Sequence, residues 1–230
     1  MVKLMRLEMK KMNISRYLWS VLIANVCITG LLVIIPFAEQ NESVNFVMQL
    51  SEMNILIGSI VRATFVIFAA VLIAKLIIEE YRDRTITVLF TYPISRKKLM
   101  AAKLTLIGFL TFITIVFSNV FVLAIFHIIN QFVQIFPDTM TGALWVEELS
   151  RVVSFGLATA GTSLVPLYFG MRKKSVPATI ISSIIIVAVI SQHNDLYSVA
   201  TIIYIPSVLA VIGIAIAVAS IRNIHKIDIV

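Results

Sequence analysis

EEYRDRTITVLFTYPISRKK, residues Glu79–Lys98, is the longest charged interval in a chain that is otherwise mostly apolar enough for a lipid interior. Ile55–Ile78 precedes it and Leu104–Ile129 follows it, and each run is long enough to cross a hydrocarbon core of about 30 Å at roughly 1.5 Å per residue. The interval therefore reads as a loop between two spans. Within it, Thr85, Val88, Leu89 and Tyr92 recur at helical spacing on one face, while Glu79, Glu80, Arg82, Asp83 and Arg84 load the start with charge. Pro93 ends this short helix, because proline disfavours helix at the residue before it and has no backbone donor. Ser95 is placed to cap the next helix, which runs through Lys103 into the membrane. A short helix that is basic at one end and apolar on one side suits docking onto a soluble partner. The plainer reading of the same charges is a solvated loop on the cytoplasmic side.

Outward from this loop, composition sets the class. The 230 residues are 60% hydrophobic and 13% charged, against about 25% charged in a soluble domain. The apolar runs divide the chain into six spans, about 18–37, 55–78, 104–129, 152–170, 176–191 and 199–221, in a single domain over 1–230. A net charge of +7 would suit nucleic acid if the cations shared one exposed face. They lie instead in short clusters between apolar runs, so the partner they imply is the lipid bilayer and no nucleic acid is expected. Cys27 is the single cysteine, which leaves no disulfide within the chain and no CxxC metal site.

The same cations orient the chain. They cluster at the N-terminus (Lys3, Arg6, Lys10, Lys11, Arg16), between Glu79 and Lys103, at Arg172, Lys173 and Lys174, and at Arg222 and Lys226. The opposite connections carry none, apart from Arg151 at a span edge. The positive-inside rule thus predicts a multi-pass protein of the cell membrane with both termini cytoplasmic. Met1–Tyr17 reads as a basic, partly amphipathic helix on the inner surface. A cleaved signal peptide fits less well, because 18–37 is too long for a signal core and no small-residue cleavage site follows.

Polar residues inside the spans are few. Arg62 and Lys75 lie within reach of an end, and snorkelling towards headgroups is the simpler reading of both. Arg62, with Asn25 and Asn119, is the alternative candidate for a cargo pathway. His127 has no second ligand at a metal-binding spacing and reads as a lone polar group near the outer interface. Gly156 and Ala160 form a small-xxx-small pair for close helix approach, and Pro166 is placed to kink the fourth span.

Catalytic motifs are missing from the sequence. No GxxxxGK[ST] phosphate loop occurs, since the Lys174–Ser175 pair lacks both preceding glycines. G-x-S-x-G and H-E-x-x-H are absent too, and His127, His193 and His225 lie in different segments. The chain reads as a non-enzyme with no catalytic or metal residues, and any ATP-driven work must come from another polypeptide.

The word order of the opening loop carries a resemblance. Glu79-Glu80, Arg84-Thr85, the Val88-Leu89-Phe90 triplet, Tyr92-Pro93-Ile94-Ser95-Arg96 and Ala101-Ala102-Lys103 resemble the first cytoplasmic loop of ABC exporter permeases of the second type. In that family an acidic residue and a Gly-Thr pair lead through a leucine-rich turn to Pro-Ile-Ser-Arg and a lysine opening the third span. Arg84 departs from the pattern, standing where many members carry glycine. The resemblance implies an all-α integral membrane protein with six transmembrane helices and a cytoplasmic coupling helix between spans 2 and 3. That helix would sit in a cleft of a separate ATPase through Glu79, Glu80, Thr85, Leu89, Pro93, Ile94, Ser95 and Arg96, with Tyr81, Arg84, Val88 and Tyr92 in the same element. Arg172, Lys173 and Lys174 would make a second inner contact. It further implies two ABC ATPase subunits that bind the ATP and Mg, no cofactor in this chain, and a second permease chain, identical or similar. The cargo would be an amphipathic peptide, a toxin or an antimicrobial compound. The Gln192–Leu196 turn leaves little room for the re-entrant outer helices of the large exporters.

Two other classes compete with this one. The membrane component of a vitamin uptake system should carry a dense outward cluster of polar residues, which the outward loops lack. A lipid-modifying enzyme needs paired carboxylates or a histidine cluster at one depth, and Glu79, Glu80 and Asp83 are the tight acidic group on offer.

Overall fold

Long runs without proline or glycine clusters become long helices. The computed structural model describes residues 2–39, 50–82, 96–133, 142–173, 175–190, 193–194, 197–198 and 204–223. Helix α1 (Val2–Lys11) leads into α2 (Ile14–Glu39). Helix α3 (Leu50–Ile73) passes through a π-helical turn (Ala74–Ile78) into α4 (Glu79–Arg82) without interruption. Then come α5 (Arg96–Val133), α6 (Gly142–Thr162), α7 (Pro166–Lys173), α8 (Val176–Ile190) and α9 (Tyr204–Asn223). Between α8 and α9 the two-residue strands β1 (His193–Asn194) and β2 (Tyr197–Ser198) pair antiparallel.

Four segments are long and apolar enough to cross a membrane: Ile14–Ile35, Glu52–Arg82, Lys97–Val133 and Leu144–Lys173. Val176–Ile190 and Pro206–Arg222 are shorter apolar helices. The exterior is what a lipid environment requires. Trp19, Val26 and Ile34 on α2, Phe109 and Phe117 on α5, and Val208 and Val211 on α9 all face outward, so these helices are apolar around their whole circumference. Several buried hydroxyls are satisfied within their own helices, as where Thr111 and Thr159 donate to the carbonyls of Ile107 and Phe155.

Two boundaries differ from the sequence expectation. The surface helix ends at Lys11 rather than Tyr17, because Asn13 takes a left-handed conformation at φ 43°, which asparagine tolerates better than most side chains. Met12 N–H closes α1 on the Glu8 carbonyl, and Arg16 N–H starts the next turn on Asn13. Helix α5 begins at Arg96, in keeping with a helix capped at Ser95 that runs through Lys103, whereas α6 begins at Gly142, well before residue 152. The fourth span breaks at Ser163–Val165, where the sequence reading places a kink. There the N–H groups of Leu164 and Val165 bond three residues back, to Gly161 and Thr162, just before Pro166, which has no N–H to give.

Helices α3 and α5 form the centre of the bundle. At one end Met53, Ile57, Val61 and Phe65 of α3 pack with Ile115, Val122 and Phe126 of α5 and with Ile28 and Leu32 of α2. At the other end Ile73, Ile77, Ile78, Met100, Leu104, Ile107 and Leu167 form a second cluster. Gly156 faces α5, where an added Cβ would lie 3.3 Å from Val116. The closest approach is elsewhere: Gly161 of α6 lies against Ala210 and Gly213 of α9, and Thr162 Oγ1 donates to the Pro206 carbonyl across the same crossing at 3.0 Å.

Candidate functional site

The two described ends of the 83–95 segment meet at a buried charged junction. On one side the π turn ends with Glu79 N–H bonded to the Ala74 carbonyl. Such a widened turn reshapes the local carbonyl ladder. On the other side α5 starts at Arg96, the residue after Ser95, and two turns later Met100, Leu104 and Ile107 drive one face into the core. Lys103 lies on that face and is 2% exposed.

Its ammonium has three N–H donors to place. One goes to Glu80 Oε2 and another to the Leu76 carbonyl at 2.8 Å, while Glu8 Oε1 of α1 lies 3.6 Å away. Glu8 and Glu80 are themselves buried. The second oxygen of Glu8, Oε2, has no hydrogen-bond partner among the described residues. One lysine thus ties together the N-terminal helix, the end of α3–α4 and the beginning of α5. A charge cluster of this kind is a poor source of net stability, but removing one member strands the others.

Of the loop residues read from the sequence, Glu79, Glu80 and Tyr81 are described, and the helix begins at Arg96. Glu79 and Tyr81 are half-buried beside the fully committed Glu80. Arg84, Thr85, Val88, Leu89, Tyr92, Pro93, Ile94 and Ser95 lie outside the described residues, as does Lys174. Arg172 and Lys173 end α7 with exposed side chains, and Arg172 Nη1 reaches Tyr168 Oη at 3.4 Å.

The proposed pathway residues divide. Arg62 and Asn119 line one small cavity with Asn54, Glu148, Arg151 and Phe155. Arg62 is buried, donates to Ser59 Oγ at 3.1 Å and stacks over the Phe155 ring at 4.4 Å. Asn119 donates to the Ile115 carbonyl at 3.0 Å. Glu148 and Arg151 pair at 3.2 Å on α6. Asn25 is fully buried on α2 and is not part of that cavity. His127 packs edge-on against Phe126 and Trp145, and no group of three metal-ligating side chains occurs among the described residues.

Sequence reasoning missed Glu8 and did not give Lys103 a partner. A signal for the first was there: Glu8 is the one acidic residue in the basic stretch Met1–Tyr17, where a solvated surface helix has no need of it.

Comparison with known proteins gives the family. The chain matches the family model described as "ABC-2 family transporter protein" over residues 4–191, which includes the junction. It is 44% identical over 227 residues, covering 99% of this chain and 100% of the relative, to the uncharacterized protein YcbO of Bacillus subtilis (strain 168). No solved structure matches it. A helical membrane bundle with the 79–103 word order and a family match over most of its length belongs to the ABC-2 family of transporter proteins.

Proposed function

We propose that the chain is the membrane-spanning subunit of an ATP-driven exporter, with six spans, both termini inside, and a loop that takes up work from a separate ATPase. The observation that carries this reading is the Glu80–Lys103–Leu76 junction with Glu8 beside it. It fastens both roots of the 83–95 segment to each other and to the N-terminal helix. A force applied to that segment is therefore delivered to α3 and α5 together, the two central helices of the bundle. Family membership and the missing phosphate loop both support a partner ATPase, which would bind the ATP and Mg.

On this reading two ATPase subunits serve two permease chains, identical or similar, and the cargo is an amphipathic peptide, toxin or antimicrobial compound. The fifth span is the short α8, whose 15 residues reach about 22 Å at 1.5 Å per residue, so the bilayer would thin locally around it. Membership of a transporter family favours this reading over a lipid-modifying enzyme, and no metal-ligating cluster among the described residues speaks for that enzyme.

The test is co-purification. Replacing Leu89 and Tyr92 with glutamate should leave membrane insertion unchanged while abolishing capture of the ATPase and transport. Intact capture by the inserted double variant would contradict the docking assignment.

A further inference from the structure

An open cleft of ≈ 600 Å³ lies between the α1–α2 elbow and the α3 end that enters the π turn. Its floor is apolar, made by Tyr17 of α2 and by Phe68, Val71 and Leu72 of α3. Its two walls each carry a cation: Arg16 at the start of α2, and Lys75 in the π turn. Lys75 is exposed, whereas Ala74, Leu76, Ile77 and Ile78 around it are buried, so this turn presents its one cation to the cleft. Glu79 and Glu80 also line the cleft, the Glu80 carboxylate being paired with Lys103. The volume is in the range of ligand sites, about 300–1,000 Å³, and its cations flank an apolar groove at the end of a spanning helix.

We propose that this cleft binds one anionic phospholipid, its phosphate between Arg16 and Lys75 and an acyl chain along Phe68, Val71 and Leu72. Basic pockets between spanning helices on the cytoplasmic side suit anionic headgroups, because the phosphate keeps charged partners while the chains stay in hydrocarbon. The inference rests on the inside placement of α1 proposed above. A lipid held there would brace the elbow against α3, next to the Glu8–Lys103–Glu80 junction.

The test uses the full-length chain purified in detergent and examined by native mass spectrometry with added phosphatidylglycerol or phosphatidylcholine. The wild type should retain one phosphatidylglycerol and shed phosphatidylcholine. The Arg16→Ala/Lys75→Ala variant should retain it roughly 30-fold more weakly, as two interfacial cations warrant. Val71→Trp, which fills the floor without touching a charge, should also release it. Lys97→Ala/Lys98→Ala removes two exposed cations outside the cleft and should retain lipid as the wild type does. The proposal is overturned by undiminished retention in the Arg16/Lys75 variant, by equal retention of phosphatidylcholine, or by displacement with inorganic phosphate. A wild-type dimer that closes the cleft and carries no lipid would overturn it as well. The assay needs no ATPase, so its failure leaves the exporter reading standing. Failure of ATPase capture in turn leaves lipid retention unaffected.

Discussion

Lys103→Met should be the most damaging single substitution at the loop root, lowering stability by about 3–5 kcal/mol, the usual cost of stranding buried charge. The methionine keeps the length of the aliphatic stem among Met100, Leu104 and Ile107 but withdraws the ammonium that Glu8 and Glu80 share. The Leu76 carbonyl loses a donor at the same time. Thermal unfolding of the purified protein in detergent checks this. The diagnostic step is rescue: adding Glu8→Gln and Glu80→Gln to Lys103→Met should recover most of the loss, since neutral replacement of a whole buried ion cluster is often close to neutral in energy. A single Lys103→Met variant that unfolds with the wild type would show that the cluster holds nothing together.

The second large effect is expected at the α6–α9 crossing. A Cβ on Gly213 would overlap the Gly161 carbonyl oxygen, and a Cβ on Gly161 would lie 2.6 Å from the Ala210 Cβ. Backbone cannot yield as a side-chain tip can, so Gly213→Ala should cost about 3 kcal/mol or more, at the upper end of overpacking penalties. It should also break the Thr162–Pro206 hydrogen bond as the helices part. Gly58→Ala is the matched control, because its new Cβ would meet Asn119 Oδ1 at an ordinary 3.6 Å. Yield of monodisperse protein and its melting temperature should fall for Gly213→Ala and hold for Gly58→Ala; equal behaviour of the two would remove the crossing from the account.

Much of the architecture is readable without coordinates because hydrocarbon imposes simple rules. Mostly apolar length marked Ile55–Ile78 and Leu104–Ile129 as spans, and the helices through them are the centre of the bundle. Pro166 announced a defect in the fourth span, and the chain breaks just before it. What a linear pattern does not carry is which faces meet. Gly156 and Ala160 satisfied the small-residue spacing, yet the tightest contact pairs Gly161 with Gly213, residues from separate helices whose facing is decided by the whole bundle.

The candidate site shows the same division. Glu79, Glu80 and Lys103 stood out as the charged borders of one loop, but their burial was not visible, since a carboxylate at a span end is usually solvated. Glu80 and Lys103 are inside because the π turn and the Met100–Ile107 face bring them together, and Glu8 joins because Asn13 bends α1 back toward α5. Arg62 shows what position along a span leaves open: beside the Ser59 hydroxyl on its own helix, the Phe155 ring that receives it belongs to a face that only the bundle brings to it.

Transfer of work from an ATPase requires the loop root to face the compartment where ATP is hydrolysed. Cys27 is the single cysteine of the chain, so Lys97→Cys on a Cys27→Ser background puts one thiol at an exposed position beside the loop. With a membrane-impermeant maleimide, this thiol should be labelled in inside-out vesicles and protected in intact cells. Labelling in intact cells would place the loop outside, and the proposed transfer of work from an ATPase would have no route into the protein.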